Sequence, residues 1–432
     1  MGKNMSKNNK IGLLEAISMA VGTMIGASIF SIFGIGTKIA GRNLPEAFIL
    51  SGIFALLVAY SYSKLGSKIV SNAGPIAFIL EGIGDNLLTG ALAILMWLSY
   101  VVSISLFAKG FAGYFLPLVG IGVSPLSMGI TEVFLIAFFT AINSFGSKAV
   151  GRLEFYIVII KLSILGVFIL FGFLQIHPDF IVPSFNRQHL HGTLYASVIF
   201  FLSYMGFGLI TNASENMENP KKNVPLAIYI SIAVVMFVYI SVSLVAVGNL
   251  SISALIKAQD NALAVAAKPF LGSFGFILIS VGALFSISSA LNATLYGGAN
   301  VAYSFAKDGD LPEFFERKVW SKSTEGLYVT AALGLLFVLI FNIGAIASIT
   351  SVIFTIIYIF VLISHYRLAD DYGGNKGFII LNIIILLIVF LVLIFYQWQT
   401  QKGAFLGMII TLLGAVSLEY IYRYTKKRKF TK

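Results

Sequence analysis

Twelve apolar runs of roughly membrane-crossing length follow one another through the 432 residues, and this succession restricts the fold more than any single motif. A helical crossing needs about 20 apolar residues. The runs fall at roughly 12–33, 46–63, 87–108, 128–146, 153–174, 193–212, 225–247, 271–303, 327–342, 345–364, 377–397 and 403–422. In hydrocarbon every backbone N–H and C=O must find an internal partner, so runs this long fold as helices. The expected fold class is an all-α membrane protein with twelve transmembrane helices and short connections. Composition agrees, since 58% of the residues are hydrophobic and 11% charged, a balance outside the soluble range.

A net charge of +11 raises the question of nucleic acid, and the placement of the 29 Lys and Arg residues answers it. With the N-terminus inside, 21 fall in the tails and inward loops, 7 fall outward, and Lys161 remains within a crossing. This is the positive-inside bias of a multi-pass protein. It places both termini in the cytoplasm, with the plasma membrane as the expected location. Lys426-Lys427-Arg428-Lys429 then reads as an anchor beside anionic lipid headgroups rather than a nucleic-acid patch. The first crossing follows Lys3, Lys7 and Lys10 and exceeds signal-peptide length, so it is expected to be retained. The chain has no Cys, which excludes thiolate chemistry. His177, His189, His191 and His365 fall in loops or at a crossing end, and no carboxylate pair lies in the membrane. No catalytic constellation is visible, so an enzyme is not expected and no cofactor is implied.

Three features interrupt the apolar pattern. The first is Val21-Gly22-Thr23-Met24-Ile25-Gly26-Ala27-Ser28-Ile29-Phe30, where two glycines four residues apart weaken a helix at mid-crossing. An unwound turn there would offer N–H groups to an anion and carbonyls to a cation, a combination suited to a zwitterion. The competing reading is that Gly26, Ala27 and Ser28 only allow helices to approach closely. The second feature is Lys161, about eight residues and so roughly 12 Å inside crossing five. Glu15, Glu132, Glu154 and Glu419 all lie near crossing ends, so no carboxylate in the sequence sits at that depth. An intramembrane ionisable group is by default a functional candidate. The third is Phe200-Phe201-Leu202-Ser203-Tyr204-Met205-Gly206-Phe207-Gly208 in crossing six.

Matched interruptions in crossings one and six, five crossings apart, have the spacing of an inverted repeat and point to a midplane site. The expected organisation is one transmembrane domain over 1–432, with repeats at about 11–174 and 193–364 and accessory helices at about 377–422. Ala59 to Pro75 reads as a turn-rich connection, and Asn219 to Pro225 as a second turn. Ser253 to Lys268 reads as a short amphipathic helix and candidate outer lid. In crossing eight, Ser286 and Ser289 share one face.

These residues resemble the amino acid, polyamine and organocation superfamily of secondary transporters, most closely its proton-coupled prokaryotic and archaeal amino acid transporters. The first-helix Ile-Gly-Ser-Gly-Ile-Phe of that family appears as Ile25-Gly26-Ala27-Ser28-Ile29-Phe30. Its sixth-helix Phe-x-Gly-Phe region and Glu-x-x-x-Asn-Pro-Lys-Lys-x-x-Pro appear from Tyr204 to Pro225, with Glu215. Its Ala-x-Asp-Gly-x-Leu-Pro appears from Ala306 to Pro312. The resemblance spans roughly residues 11–320. It implies a leucine-transporter-type 5+5 core with discontinuous helices one and six, two added helices, and alternating access.

Carried over by position, the resemblance implies that a substrate carboxylate meets N–H groups of Ala27 and Ser28. The amine would meet carbonyls around Thr23, Met24, Leu202, Ser203 and Met205, with Gly26 and Gly206 at the turns and Leu202 facing the side chain. Lys161 matches the fifth-helix lysine that replaces a sodium ion in proton-coupled relatives, beside carbonyls of Gly22 and Ile25 and hydroxyls of Ser286 and Ser289. Ser28 replaces the usual Gly, narrowing the approach to the turn, and Asn300 stands where many relatives carry Arg.

The function expected is proton-coupled symport of neutral L-amino acids, with Lys161 as proton carrier; a lysine held away from water can exchange a proton near physiological pH. The partners expected are an L-amino acid, protons and membrane lipids, and no nucleic acid. An uncoupled facilitator or exchanger, and a non-transporting amino acid sensor, remain as alternatives.

Overall fold

A computed structural model describes residues 10–71, 73–144, 150–307, 315, 317–320 and 323–426. Among the described residues, eleven helices are long and apolar enough to cross a membrane. A further apolar helix, α14 (Glu325–Ile340), is 16 residues long and falls at the ninth expected crossing.

The helices sort by burial as a bundle in lipid should. α5 (Leu87–Leu118) is buried over 94% of its most apolar window, whereas α6 (Pro125–Ser144) is buried over only 17%. In a soluble protein the exposed apolar face of α6 would be a liability; in a membrane, lipid covers it. The centre of the bundle is α1 (Leu13–Ser31). It packs on α5, on α7 (Val150–Phe173), on α10 (Pro220–Asn249), on α13 (Lys268–Lys307) and on the interruption of the sixth crossing.

The first interruption is not where the sequence places it. α1 is helical through Gly26, Ala27 and Ser28, and the break falls at Ile32 (φ −108°, ψ 3°), before α2 (Phe33–Ala40). Ala and Ser hold a helix at small cost, while freeing their backbone groups at mid-membrane costs several kcal/mol. Gly26 serves a close helix crossing instead, since a Cβ there would stand 2.5 Å from Cβ of Ala290 on α13. At the end that does break, the Tyr114 hydroxyl donates to Phe30 O at 3.1 Å, supplying a partner for a terminal carbonyl.

The sixth crossing is composite: α8 (Arg187–Phe200), a 3-10 stretch over Phe201–Phe207, and α9 (Gly208–Asn212). Seven residues of 3-10 helix exceed the usual three or four. α3 (Leu44–Gly66) follows α2 through the short turn Gly41–Asn43. The connection after α3 is more than turns, because α4 (Pro75–Ile83) forms a helix there, opened by a proline at its first position.

The remaining elements close the two ends of the bundle. At the end where α1 begins, Ile11 N donates to Asn216 O at 2.8 Å, Glu218 N donates to Ile11 O at 2.9 Å, and Ser71 N donates to Ser214 Oγ at 3.0 Å. At the far end, the amphipathic helix expected over Ser253 to Lys268 is split. α11 (Ile252–Ala258) and α12 (Ala262–Ala266) flank the turn Gln259–Asn261, where Gln259 has a positive φ of 50° that no continuous helix accepts. Gly272 (φ 60°) likewise breaks α13 near its start. A two-stranded hairpin, Lys318–Trp320 with Ser323–Thr324, precedes α14, and α15 (Ile343–Tyr372), α16 (Lys376–Thr400) and α17 (Lys402–Lys426) complete the chain. The Ala306 to Pro312 motif beyond Lys307 and the basic tail from Lys427 lie outside the described residues.

Candidate functional site

Lys161 on α7 is 1% exposed, and its Nζ donates to Gly22 O of α1 at 2.6 Å. From α13, Ser286 Oγ donates to Ile25 O at 3.0 Å. Ser289 lies one turn along the same face of α13 and is half-buried. A helix carbonyl keeps a free lone pair after its i+4 bond, so these donors bind α1 without unwinding it. Four of the residues that the sequence proposes for proton coupling therefore meet, in two pairs, at carbonyls three residues apart on one helix.

Next to them lies a cavity of about 90 Å³ lined by Thr23 and Met24 of α1, by Leu202, Met205 and Gly206 of the 3-10 stretch, and by Gly208. Its other walls come from Tyr62, Met96, Tyr100, Ser103, Phe107, Thr294, Phe354 and Tyr358. Among the described residues lining it there is no Lys, Arg, His, Asp or Glu. Ser203 is buried behind this wall, and its Oγ has no hydrogen-bond partner among the described residues. Gly206 stands where α1 and the 3-10 stretch touch, since a Cβ there would come 2.8 Å from Met24 Cγ and 3.0 Å from Ala20 O. The side chains of Ala27 and Ser28 lie outside what is described.

Tyr239 on α10 is a residue that sequence reasoning missed. Its buried hydroxyl hydrogen-bonds Met24 O and lies 3.2 Å from Ser203 O, so one phenol joins both interrupted crossings. A phenol has one hydrogen to donate and serves one carbonyl at a time. The available signal was a tyrosine in the middle of an apolar run, which must find an acceptor when buried. The aromatic floor of the cavity was missed as well: Tyr62 meets Phe207 at 5.2 Å and Tyr358 at 5.5 Å between ring centroids, and Asn212 Nδ2 donates to the Tyr100 hydroxyl at 3.1 Å.

Toward the far end, α2 packs closely on its neighbours. A side chain at Gly34 would strike the carbonyl of Gln259, and one at Gly36 the ring of Phe200. Phe200 in turn stacks on Phe48 at 4.1 Å. An uncharged, mostly apolar cavity between the first and sixth crossings, with a lysine bound to a neighbouring carbonyl, suits a small molecule that carries its own compensating charges.

Comparison with known proteins agrees with this geometry. The profile of the family described as amino acid permease matches residues 11–418. An uncharacterized protein of Methanocaldococcus jannaschii is 66% identical over 425 residues, 98% of each chain. The inner membrane transport protein YbaT of Escherichia coli is 31% identical over 426 residues, again 98% of each. The branched-chain amino acid permease BcaP of Bacillus subtilis is 23% identical over 323 residues, 71% of this chain and 69% of its own. The chain belongs to the amino acid permease family of the amino acid, polyamine and organocation superfamily, and is a multi-pass membrane transporter.

Proposed function

We propose that this permease is a proton-coupled symporter of neutral L-amino acids, with residues 1–432 forming one transmembrane domain that works by alternating access. The observation that carries the reading is the contact of Lys161 Nζ with Gly22 O, one residue from the cavity-lining Thr23. Protonated Lys161 ties α7 to α1; on deprotonation it loses charge and the tie weakens, which lets α1 move relative to α7. Ser286 and Ser289 support α1 from α13 at the neighbouring carbonyl. The core is read as two five-helix inverted repeats, about 11–174 and 193–364, with α16 and α17 as accessories, in the plasma membrane with both termini cytoplasmic.

In the substrate site, the carboxylate meets N–H groups of Ala27 and Ser28, and the amine meets carbonyls of Thr23, Met24, Leu202, Ser203 and Met205. In α1 as described those N–H groups lie inside a helix, so binding opens the turn at Gly26, where glycine weakens it. The apolar cavity favours neutral side chains, because a cationic or anionic substrate would have to shed water without a partner and lose several kcal/mol. The name of the BcaP relative, a branched-chain amino acid permease, points the same way.

Uptake into proteoliposomes under a pH gradient alone tests the coupling: labelled alanine should accumulate without sodium, and a sodium requirement overturns the reading. Competition by a panel of amino acids tests the substrate class. Alanine, serine or leucine should inhibit more strongly than arginine or glutamate, and the reverse order overturns it. A second reading, an exchanger in which Lys161 stays protonated, draws on the same short contact, since an ammonium is a strong donor to a buried carbonyl. Counterflow with no response to pH would select it.

A further inference from the structure

The turn Gln259–Asn261 drives a carboxylate, Asp260, down between α2 and α5. Asp260 Cβ fills the space that a side chain at Gly113 of α5 would need, and the Gln259 carbonyl does the same at Gly34 of α2. Gln259 holds a positive φ of 50° to achieve this. Such a backbone costs of order 1 kcal/mol or more and persists only where packing over-determines it. The segment is therefore a lid pressed into a glycine-lined seat.

The seat is charged. Lys109 of α5 pairs with Glu132 of α6, Nζ to Oε1 at 3.3 Å, and Glu132 is 1% exposed. Asp260 feels both of these groups, so a single ammonium faces two carboxylates. The other groups facing the lid do not redress this balance. Lys38 of α2 and His191 of α8 share a polar crevice with Lys109 and Asp260, Lys38 being exposed, and Lys257 of α11 points to solvent. Tyr114 of α5 is neutral, and the charged residue of α1, Glu15, sits at its opposite end.

We propose that Asp260 is a proton-operated latch, seated against Gly113 with a proton on its carboxyl and losing that proton when the lid lifts into water. Asp260 is half-buried in the seat, and that burial pushes its carboxyl up to about 6, against the pull of Lys109 and with a further push from Glu132. An exposed aspartate titrates near 3.9. The seated form thus binds its proton more tightly, so acid favours closure. Below about pH 4 both forms are protonated and the lid is indifferent to pH. Between about 4 and 6 closure takes up a proton. Above about 6 the full penalty stands, up to about a hundredfold in the lid equilibrium for two pK units.

The absence of native cysteine makes the lid directly measurable. Ser31 is fully buried with its Oγ against Gly110, on the seat side of α5, so Ser31→Cys reports opening. Maleimide labelling of the detergent-purified protein, normalised to a cysteine at exposed Ser253, removes the thiol's own pH dependence and needs neither substrate nor transport. Failure here would leave the symport reading untouched. The normalised rate should rise about tenfold to a hundredfold between about pH 4.5 and 7.5. Asp260→Asn should hold it flat at the slow, acid level. Glu132→Gln should keep the step but move it to lower pH, because it removes the carboxylate that discourages ionisation. No step in the native lid, or a step unchanged by Asp260→Asn, overturns the latch. Should Asp260→Asn fail to fold, an unmoved midpoint in Glu132→Gln overturns it as well.

Discussion

Where the first and sixth crossings meet, similar ingredients have produced two different backbones. Around Gly26 the chain stays α-helical and breaks only at Ile32, while Phe201–Phe207 runs as 3-10 helix. In the sixth crossing the bulky residues recur every third position. Phe201, Tyr204 and Phe207 are all fully buried, while Leu202, Met205 and Gly208 line the cavity. With three residues per turn these become two straight stripes, one for the core and one for the ligand, which a 3.6-residue helix would smear around its circumference. α1 has no such stripe. It keeps the α form and takes its polar contacts as second bonds on carbonyls of Gly22, Met24 and Ile25, from Lys161, Tyr239 and Ser286. The sixth crossing is shaped by its own side chains, whereas α1 is held by donors from its neighbours. On this view the substrate acts on α1 by displacing or releasing those donors.

The contrast is most severely tested at Lys161. Lys161→Ala removes the tie to Gly22 O but leaves that carbonyl its helical bond, so the protein should insert and keep its melting temperature within a few degrees. Accumulation driven by a pH gradient should be abolished. A well-folded variant that still accumulates amino acid would remove Lys161 from the mechanism, and poor expression with a low melting temperature would make it a structural tie.

Much of this arrangement was legible in the chain because it rests on strong, local signals. Apolar runs of crossing length and a buried lysine each carry their own physical cause. What was not legible depends on what a residue touches. Gly26 reads as a break until Ala290 is placed against it, and Tyr239 reads as one more aromatic until two carbonyls from distant crossings converge on its hydroxyl. The period-three stripe was visible in Phe201, Tyr204 and Phe207, but a window tuned to 3.6 residues passes over it. The split of the lid at Gln259 had no local signal, because a positive φ at glutamine is imposed by the seat and not by the residue.

Glycine substitutions come next in size. At Gly206 an added Cβ would meet Met24 N at 2.9 Å and Ala20 O at 3.0 Å, backbone atoms that cannot swing aside. Gly206→Ala should destabilise by about 1–3 kcal/mol, the usual range for overpacking, and weaken substrate binding by roughly tenfold or more. Melting temperature and substrate affinity measured on one preparation check this; unchanged values would mean the two crossings do not pack this closely in the working protein. Tyr239→Phe is smaller. It deletes one hydroxyl and almost no volume, so about 1 kcal/mol is lost and KM should rise about fivefold with expression unaltered. A KM equal to that of the native protein would show that the phenol does not join the two turns.

The smallest effect is expected at Ser286, and it bears most directly on how α1 is held. Its Oγ is a second donor to Ile25 O, so Ser286→Ala leaves no buried acceptor unpaired and should cost at most about 1 kcal/mol. Proton-driven uptake should fall by a factor of about five or less, with folding intact. If instead Ser286→Ala loses as much as Lys161→Ala, the two donors act as one unit, and the double variant should be no worse than either single one. If they act independently on Ile25 O and Gly22 O, their effects on the free energy of unfolding should add, within about 0.3–0.5 kcal/mol. Non-additive losses would mean that α1 passes strain from one carbonyl to the other, and that the helix responds as a rigid rod to either donor.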